Sequence, residues 1–427
     1  MTERVVAGAA ALSGTIEVPS DKSVGHRALL ANAIAEGEAR LVLRGPGADL
    51  ESTIACLASL GVGISRSGAT VIVRGARPES PAGVLDCGNS GTTMRLLAGL
   101  LAGEPLSAVL DGDDSLRTRP MERVAAPLRE MGAQVTTTHG HAPLEIHGGA
   151  LRAADHELPV ASAQVLGAIA FAALRCDGQT TVRLPGQTRD HTERLLAWMG
   201  VAIRREGMVT SVWGPARPTA RSLEVPGDPS SAAAWLVAGA LHRDAALRLP
   251  GVCLNPTRLA MVEVLRQMGA TIEVEERAGD GPEPVGEIRV RTGNRLRPIR
   301  LGGAQVAAVI DELPLLGVAM AAADGISELR DAGELRVKES DRIAAMVTGL
   351  DAIGARVTEL PDGWRVSPGA ARDAEISTGG DHRIAIAFAV AALSGVAGTV
   401  RIDEAESASV SYPGFWADLD AIAAVPA

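Results

Sequence analysis

The sequence predicts an α/β protein of two halves, each assembled from three α/β units. A helix-like segment ending in a small apolar cluster, then Gly, then a β-branched strand recurs along the chain. It reads LASLGVGI at Gly61, LREMGAQV at Gly132, LLAWMGVAI at Gly200, LRQMGATI at Gly269 and LDAIGARV at Gly354, at intervals of 71, 68, 69 and 85 residues. A second, longer repeat relates TIEVPSDKS (15–23) to SLEVPGDPS (222–230) across 207 residues, three of the shorter periods. The composition agrees: 46% of the 427 residues are apolar, yet only 5 Trp, 1 Tyr and 3 Phe occur, so the core must be aliphatic.

In each copy the Gly fits a helix C′ position, where positive φ is needed before the strand begins. LDAIA near Ala423, 69 residues after Gly354, is expected to be a truncated sixth copy. The longer interval contains ERAGDGPEPVG (276–286), a turn-rich insertion by composition. Units of this length exceed the usual solenoid repeats of about 20–50 residues. Both halves open with the same strand–Pro–turn signature, which places the crossings near 20–22 and 226–229. The expected lobes are 1–20 plus 228–427, and 21–227.

The net charge of −10 and pI of about 5.4 argue against a broad nucleic-acid surface. An anionic ligand would have to meet a local concentration of Lys and Arg. Cys56, Cys87, Cys176 and Cys253 form no CxxC pair, so neither a disulfide framework nor a structural zinc site is expected, and a reducing cytoplasm is. The opening MTERVVAGAAALSG lacks the basic n-region of a signal peptide. The longest apolar runs, 232–241 and 384–393, read as buried helices too short to cross a bilayer. There is no H-E-x-x-H spacing and no G-x-S-x-G elbow, so neither a bound metal nor that type of nucleophile is expected.

The cations gather at helix starts. In SDKSVGHRALLANAIAEG (20–37), Ser20 or Ser23 can cap a helix whose first turn carries Lys22, Ser23 and Arg27 beside N–H groups that favour an anion. A capped surface helix with solvated charges is the bland alternative. DCGNSGTTMRLLAGLLAG (86–103) is a Gly-rich turn before an apolar helix, neither a Walker A loop nor GxGxxG, able to present N–H groups to an anion. SLRTRPMERV puts Arg117 and Arg119 ahead of Pro120, a favoured N1 residue; a cation at a helix entry opposes the macrodipole and suggests an external anion. In LRVKESDRIAA, Lys338 and Arg342 are four apart and share a helix face if the helix has begun, with Glu339 between them. AVIDELPLLGV embeds Asp311 and Glu312 between apolar runs, a setting for general acid/base work. In STGGDHRIAIAF, Arg383 follows His382 at the mouth of an apolar helix. Together these suggest a cleft between two lobes that clamps small, multiply charged substrates.

The motifs DKSVGHR, GNSGTTMR, TRPM, ASAQ (161–164), VPGDPSSAA, IDELP, LRVKESDR and DHRIA resemble those of the 5-enolpyruvylshikimate-3-phosphate synthase family from about Leu12 to Leu419. The resemblance implies a two-lobed inside-out α/β barrel, the enolpyruvyl transferase fold, with six βαβαββ units, three per lobe. It implies transfer of the enolpyruvyl group of phosphoenolpyruvate to the 5-hydroxyl of shikimate 3-phosphate, without a cofactor, by a cytoplasmic monomer with these two small molecules as its partners. Lys22, Ser23, Arg27, Ser162, Gln164, Arg189, Asp311 and Lys338 would bind shikimate 3-phosphate. Lys22, Gly91, Arg119, Gln164, Arg342 and Arg383 would bind phosphoenolpyruvate. Asp311 would take the 5-hydroxyl proton, and Glu339 or Lys22 would protonate the methylene carbon.

The chain departs from the family pattern in places. Val410 stands where many members carry Lys, and Leu96 where many carry Pro. ASAQ, VPGDPSS and LRVKESDR are spelled as in the class II branch, whose glyphosate-tolerant members often carry Ala where this chain has Gly91. The nearest rival, UDP-N-acetylglucosamine enolpyruvyl transferase, uses a Cys in a loop matching 111–123, where this chain has none. A non-catalytic anion-binding protein on the same scaffold is the other rival, and it would be expected to lose the carboxylates.

Overall fold

The computed structural model describes residues 2–424. Packing divides the chain into two compact units. The first holds Met1–Pro19, Pro226–Gly279 and Pro284–Ala427; the second holds Ser20–Val225 and Asp280–Glu283. The chain passes from one unit to the other one or two residues before the boundaries read from the sequence. Residues 280–283 depart further: expected in the first lobe, they group with the second. The supposed insertion is a hairpin whose strands, Thr271–Arg277 and Val285–Arg291, pair in the first unit while its tip does not remain there.

Among the described residues six sheets, three per unit, follow one plan. In the second unit Leu85–Asp86 runs parallel to Ser107–Asp111, which pairs antiparallel with His141–His147, itself antiparallel to Gln134–Thr138. With the helices Gly91–Ala102 and Glu122–Glu130 interleaved, the order is βαβαββ. The outer strand of the sheet containing Glu38–Val42 is Leu223–Glu224, supplied by the far end of that unit's chain. In the first unit the parallel pairs are Ala11–Thr15 with Ala245–Cys253, Arg300–Leu301 with Ser327–Leu329, and Ala374–Ile376 with Val400–Ile402. The last repeat is cut short. Helix Phe415–Ile422 leads into Ala423–Ala424, which pairs with Ala11 and Leu12, and Arg4–Val6 takes the place beside Val400–Ile402.

The repeated glycines sit where the sequence put them. Gly61, Gly132, Gly200, Gly269 and Gly354 each follow a helix with φ of +82°, +106°, +88°, +103° and +97°. A Cβ is strained there, so Gly ends the helix and releases the strand.

Each unit has three central helices buried on nearly every side: Lys22–Ala33, Gly91–Ala102 and Ala163–Ala173 in the second, Pro229–Leu241, Leu313–Ala322 and His382–Leu393 in the first. A helix apolar all round is a buried helix, which accounts for the runs at 232–241 and 384–393. Among the described residues no helix is long and apolar enough to cross a membrane. Small residues allow the helices to approach: a Cβ on Gly99 would lie 2.1 Å from the carbonyl oxygen of Ala168 on the neighbouring helix.

Candidate active site

Five of the six central helices begin with a side-chain cap. Asp21 accepts from the Val24 N–H at 3.0 Å, Ser90 from Thr93 at 3.1 Å, Ser162 from Val165 at 3.3 Å, Asp228 from Ser230 at 2.8 Å and Asp381 from Arg383 at 2.9 Å. Each cap satisfies one of the N–H groups left over at a helix start. The first helix is thus capped by Asp21 and by neither serine proposed for it; the Ser20 hydroxyl donates to the Val225 carbonyl instead. Asp21 and Asp228 occupy the same place in the long repeat, VPSDKS and VPGDPS.

In the second unit the starts of the three central helices converge. Lys22 Nζ pairs with Asp49 Oδ2 at 2.9 Å. The buried Arg27 guanidinium donates from Nε to Thr192 Oγ1 at 2.7 Å and through its Nη atoms to the carbonyls of Ser23 and Ala163, at 3.0 and 3.3 Å. Burial pulls its pKa down to about 10, against the opposing pull of Glu193, Asp21 and Glu283. Arg189 Nη1 reaches Ser23 Oγ at 3.5 Å. Gln164 is held at both ends, donating to Thr92 Oγ1 at 2.8 Å and accepting from Arg95 Nη1 at 2.6 Å. Gly91 opens its helix in front of two guanidinium groups: a Cβ there would stand 2.8 Å from Arg95 Nη1 and 3.7 Å from Arg119 Nη1. Arg119 itself donates to Asn89 Oδ1 at 2.5 Å.

Two expectations for this unit are corrected. Pro120 does not open a helix: Asp114–Thr118 is a short helix closed by Arg119, and the next helix begins at Glu122. Arg117 therefore lies in a last turn, the favoured end for a cation, and its fork closes on Asp111 with contacts of 3.0 and 2.6 Å. Only Arg119 of that pair lies beside the Gly91 turn. Arg95, within GNSGTTMR, is a further residue of this site that the sequence reading does not single out. Its position one helical turn after Gly91 puts it on the same face, and that spacing was the available signal.

In the first unit a small cavity is lined by Ser230 and Ser231 from one central helix start, Asp311, Pro314 and Leu315 from the second, and Arg383 from the third, with Tyr412 beside them. Lys338 Nζ lies 3.8 Å from Asp311 Oδ1 and 3.4 Å from Glu334 Oε1. Lys338 and Arg342 do not share a helix face: Lys338 follows the 3₁₀ turn Gly333–Val337, and the helix starts at Arg342 behind its cap Asp341. Arg342 is fully buried. Its Nε and Nη2 grip both oxygens of Asp381, at 2.8 and 3.1 Å, and Nη2 also meets Glu339 Oε2 at 2.7 Å. Burial alone would lower the Arg342 pKa, but Asp381 and Glu339 outweigh it and raise it. Burial would likewise raise Asp381, and Arg342 reverses that and lowers it. Desolvation drives His382 down to about 3, so it is a neutral structural residue beside Arg383.

Among the described residues no cluster of His, Cys, Asp or Glu has the arrangement to hold a metal. All four cysteines are buried.

The family model for EPSP synthase (3-phosphoshikimate 1-carboxyvinyltransferase) matches residues 6–419. The chain belongs to this family. A protein of Roseiflexus sp. (strain RS-1) named 3-phosphoshikimate 1-carboxyvinyltransferase is 49% identical over 96% of this chain and 97% of its own. The structure of EPSP synthase from Acinetobacter baumannii matches with a TM-score of 0.88 and 39% identity, covering 99% of this chain and 98% of that one. The enolpyruvyl transferase NikO from Streptomyces tendae, at 20% identity and a TM-score of 0.75, shares the fold. The fold is thus the two-lobed enolpyruvyl transferase fold of this family, and the chain is a transferase.

Proposed function

We propose that this chain transfers the enolpyruvyl group of phosphoenolpyruvate to the 5-hydroxyl of shikimate 3-phosphate, releasing phosphate. The observation that carries this reading is that, within each unit, the family's motifs meet where three buried helices begin. Preorganised N–H groups and guanidinium forks are what substrates bearing a phosphate and a carboxylate each require. The family match over nearly the whole chain supplies the rest of the support.

The residues divide by substrate, and each substrate draws on residues of both units. Lys22, Ser23, Arg27, Ser162, Gln164 and Arg189 bind shikimate 3-phosphate, and Lys338 orients it. Gly91, Arg119, Arg342 and Arg383 bind phosphoenolpyruvate, with Lys22 and Gln164 touching both substrates. Arg95 joins this set as the residue that fixes Gln164. Two anions approach one another in the transition state, so fixed positive charge is the main catalytic resource. Asp311 accepts the proton as the 5-hydroxyl oxygen attacks, with Lys338 Nζ 3.8 Å from its Oδ1. Glu339 or Lys22 delivers a proton to the methylene carbon, which gives a tetrahedral adduct; loss of a proton from the methyl group so formed and cleavage of the C–O bond to phosphate then restore the double bond and release phosphate. Arg342 is already committed to Asp381 and Glu339 through Nε and Nη2, which leaves Nη1 as its donor toward substrate.

The protein works as a monomer in the cytoplasm, binds no nucleic acid and belongs to the class II branch. The charge of −10 speaks against nucleic-acid binding, and the spelling of ASAQ and LRVKESDR supports the class II reading. A nucleotide-sugar transferase is disfavoured, since no cysteine occurs within 111–123 and those present are buried. The test is phosphate release from phosphoenolpyruvate with shikimate 3-phosphate against UDP-N-acetylglucosamine. Release with shikimate 3-phosphate alone is expected; release with neither would end the enzyme reading.

A further inference from the structure

The tip of the 276–286 hairpin places Glu283 deep in the second unit. Its carboxylate Oε1 lies 2.7 Å from His191 Nδ1, and the two side chains are 2% and 1% exposed. A hairpin tip would ordinarily be solvated, and burying a carboxylate is costly unless its partners are well placed. His191 is the first residue of the helix His191–Trp198. Its Nε2 is buried and makes no hydrogen bond among the described residues, so the orientation of the ring rests on the bond from Nδ1 to Glu283. On one side of this histidine Thr192 holds Arg27 Nε at 2.7 Å; on the other, Arg189 reaches Ser23. Glu283 also counts among the carboxylates that oppose the lowering of the Arg27 pKa by burial.

We propose that Glu283 is a positioning residue: by fixing His191 it sets Thr192 and Arg189, and through them aims Arg27 and Ser23 at the shikimate 3-phosphate subsite. The inference rests on the proposed reaction for its substrate, but the contact chain stands on its own geometry. The hairpin tip, read from sequence as a length variation, then becomes part of the specificity apparatus.

The experiment compares Glu283→Ala, Glu283→Gln and Thr192→Val with the unaltered full chain. Phosphate release gives kcat and both KM values, urea unfolding controls for stability, and the Arg27 Nε–H signal in a ¹⁵N-labelled sample is identified by its loss in Arg27→Lys. Glu283→Ala is expected to raise KM for shikimate 3-phosphate by about tenfold, the scale of one lost hydrogen bond to a charged group. KM for phosphoenolpyruvate should stay within about twofold, as should kcat, because neither depends on this chain of contacts in the same way. Glu283→Gln keeps an acceptor for Nδ1–H and should restore most of the loss. Thr192→Val should reproduce the substrate-selective effect even if Glu283→Ala folds poorly. Equal rises in both KM values, or a Gln variant as impaired as the Ala variant, would overturn the proposal. If the unaltered protein does not turn over shikimate 3-phosphate, the reaction itself fails. The Arg27 signal then decides alone: it should move in Glu283→Ala and return in Glu283→Gln, and an unmoved signal overturns the proposal whatever the substrate.

Discussion

Gly91 and Arg95 are one helical turn apart, and the space a Cβ on Gly91 would need is taken by Arg95 Nη1, 2.8 Å away. That guanidinium is not at liberty to retreat, because it donates to Gln164 Oε1 and to the Pro120 carbonyl, at 2.6 and 3.3 Å. One methyl group at position 91 therefore disturbs a guanidinium, a glutamine and the turn that carries both. Gly91→Ala should weaken glyphosate inhibition sharply, with a smaller rise in KM for phosphoenolpyruvate. Unchanged inhibition and unchanged KM would mean that Arg95 yields without consequence. Leu96 is fully buried and packs toward Gly167, whose Cβ would lie 2.8 Å from its Cδ2, so Leu96 acts on this turn only through the core.

Asp311→Asn keeps the size and shape of the side chain and one acceptor oxygen while removing its charge and its capacity to take a proton. Loss of a general base typically costs about 10²–10⁴ in rate. Turnover should fall by that factor while calorimetric binding of shikimate 3-phosphate stays within about tenfold. Near-normal kcat would remove Asp311 from the mechanism.

Asp381→Asn separates a cap from a counter-ion. Asn caps a helix about as well as Asp, so the His382–Leu393 helix keeps its start. Arg342, buried and gripping Asp381 at 2.8 Å, loses its main compensation. Breaking a buried pair from one side costs about 3–5 kcal/mol, which urea unfolding should read. A loss below about 1 kcal/mol would show that Glu339 alone can carry Arg342.

His26 is buried without exposure, its Nδ1 2.7 Å from Thr53 Oγ1, and desolvation takes its pKa from 6.5 to about 3. Between those values the unfolded chain binds a proton that the folded chain refuses. Stability is thus fully present above pH 6.5 and is lost as the pH falls below it, by about 2 kcal/mol per such histidine at pH 5. His382 adds a second contribution of the same sign. In His26→Asn the difference in unfolding free energy between pH 7 and pH 5 should shrink by about that amount. An unaltered difference would mean that the ring takes up its proton in the folded protein.

The periodic glycines, the duplicated Pro–turn and the apolar helices were legible in the sequence because each is enforced locally. A positive φ after a helix admits little but Gly, and a helix buried all round can carry almost nothing polar. Those constraints also exposed Lys22, Asp311 and Arg383 as polar exceptions beside buried helices, whereas Gln164 was legible only through the resemblance of ASAQ. What the sequence could not decide is which charge answers which. Arg117 and Arg119 are two residues apart, yet one closes on Asp111 and the other lies beside Gly91. Lys338 and Arg342 have helical spacing, yet the helix waits for Asp341. Glu283 sits in the repeat pattern of one unit and is buried in the other, against His191. Partner choice among charges depends on distances across the chain and on what is buried with them. Coulomb energies vary several-fold with burial, and local pattern carries no record of it.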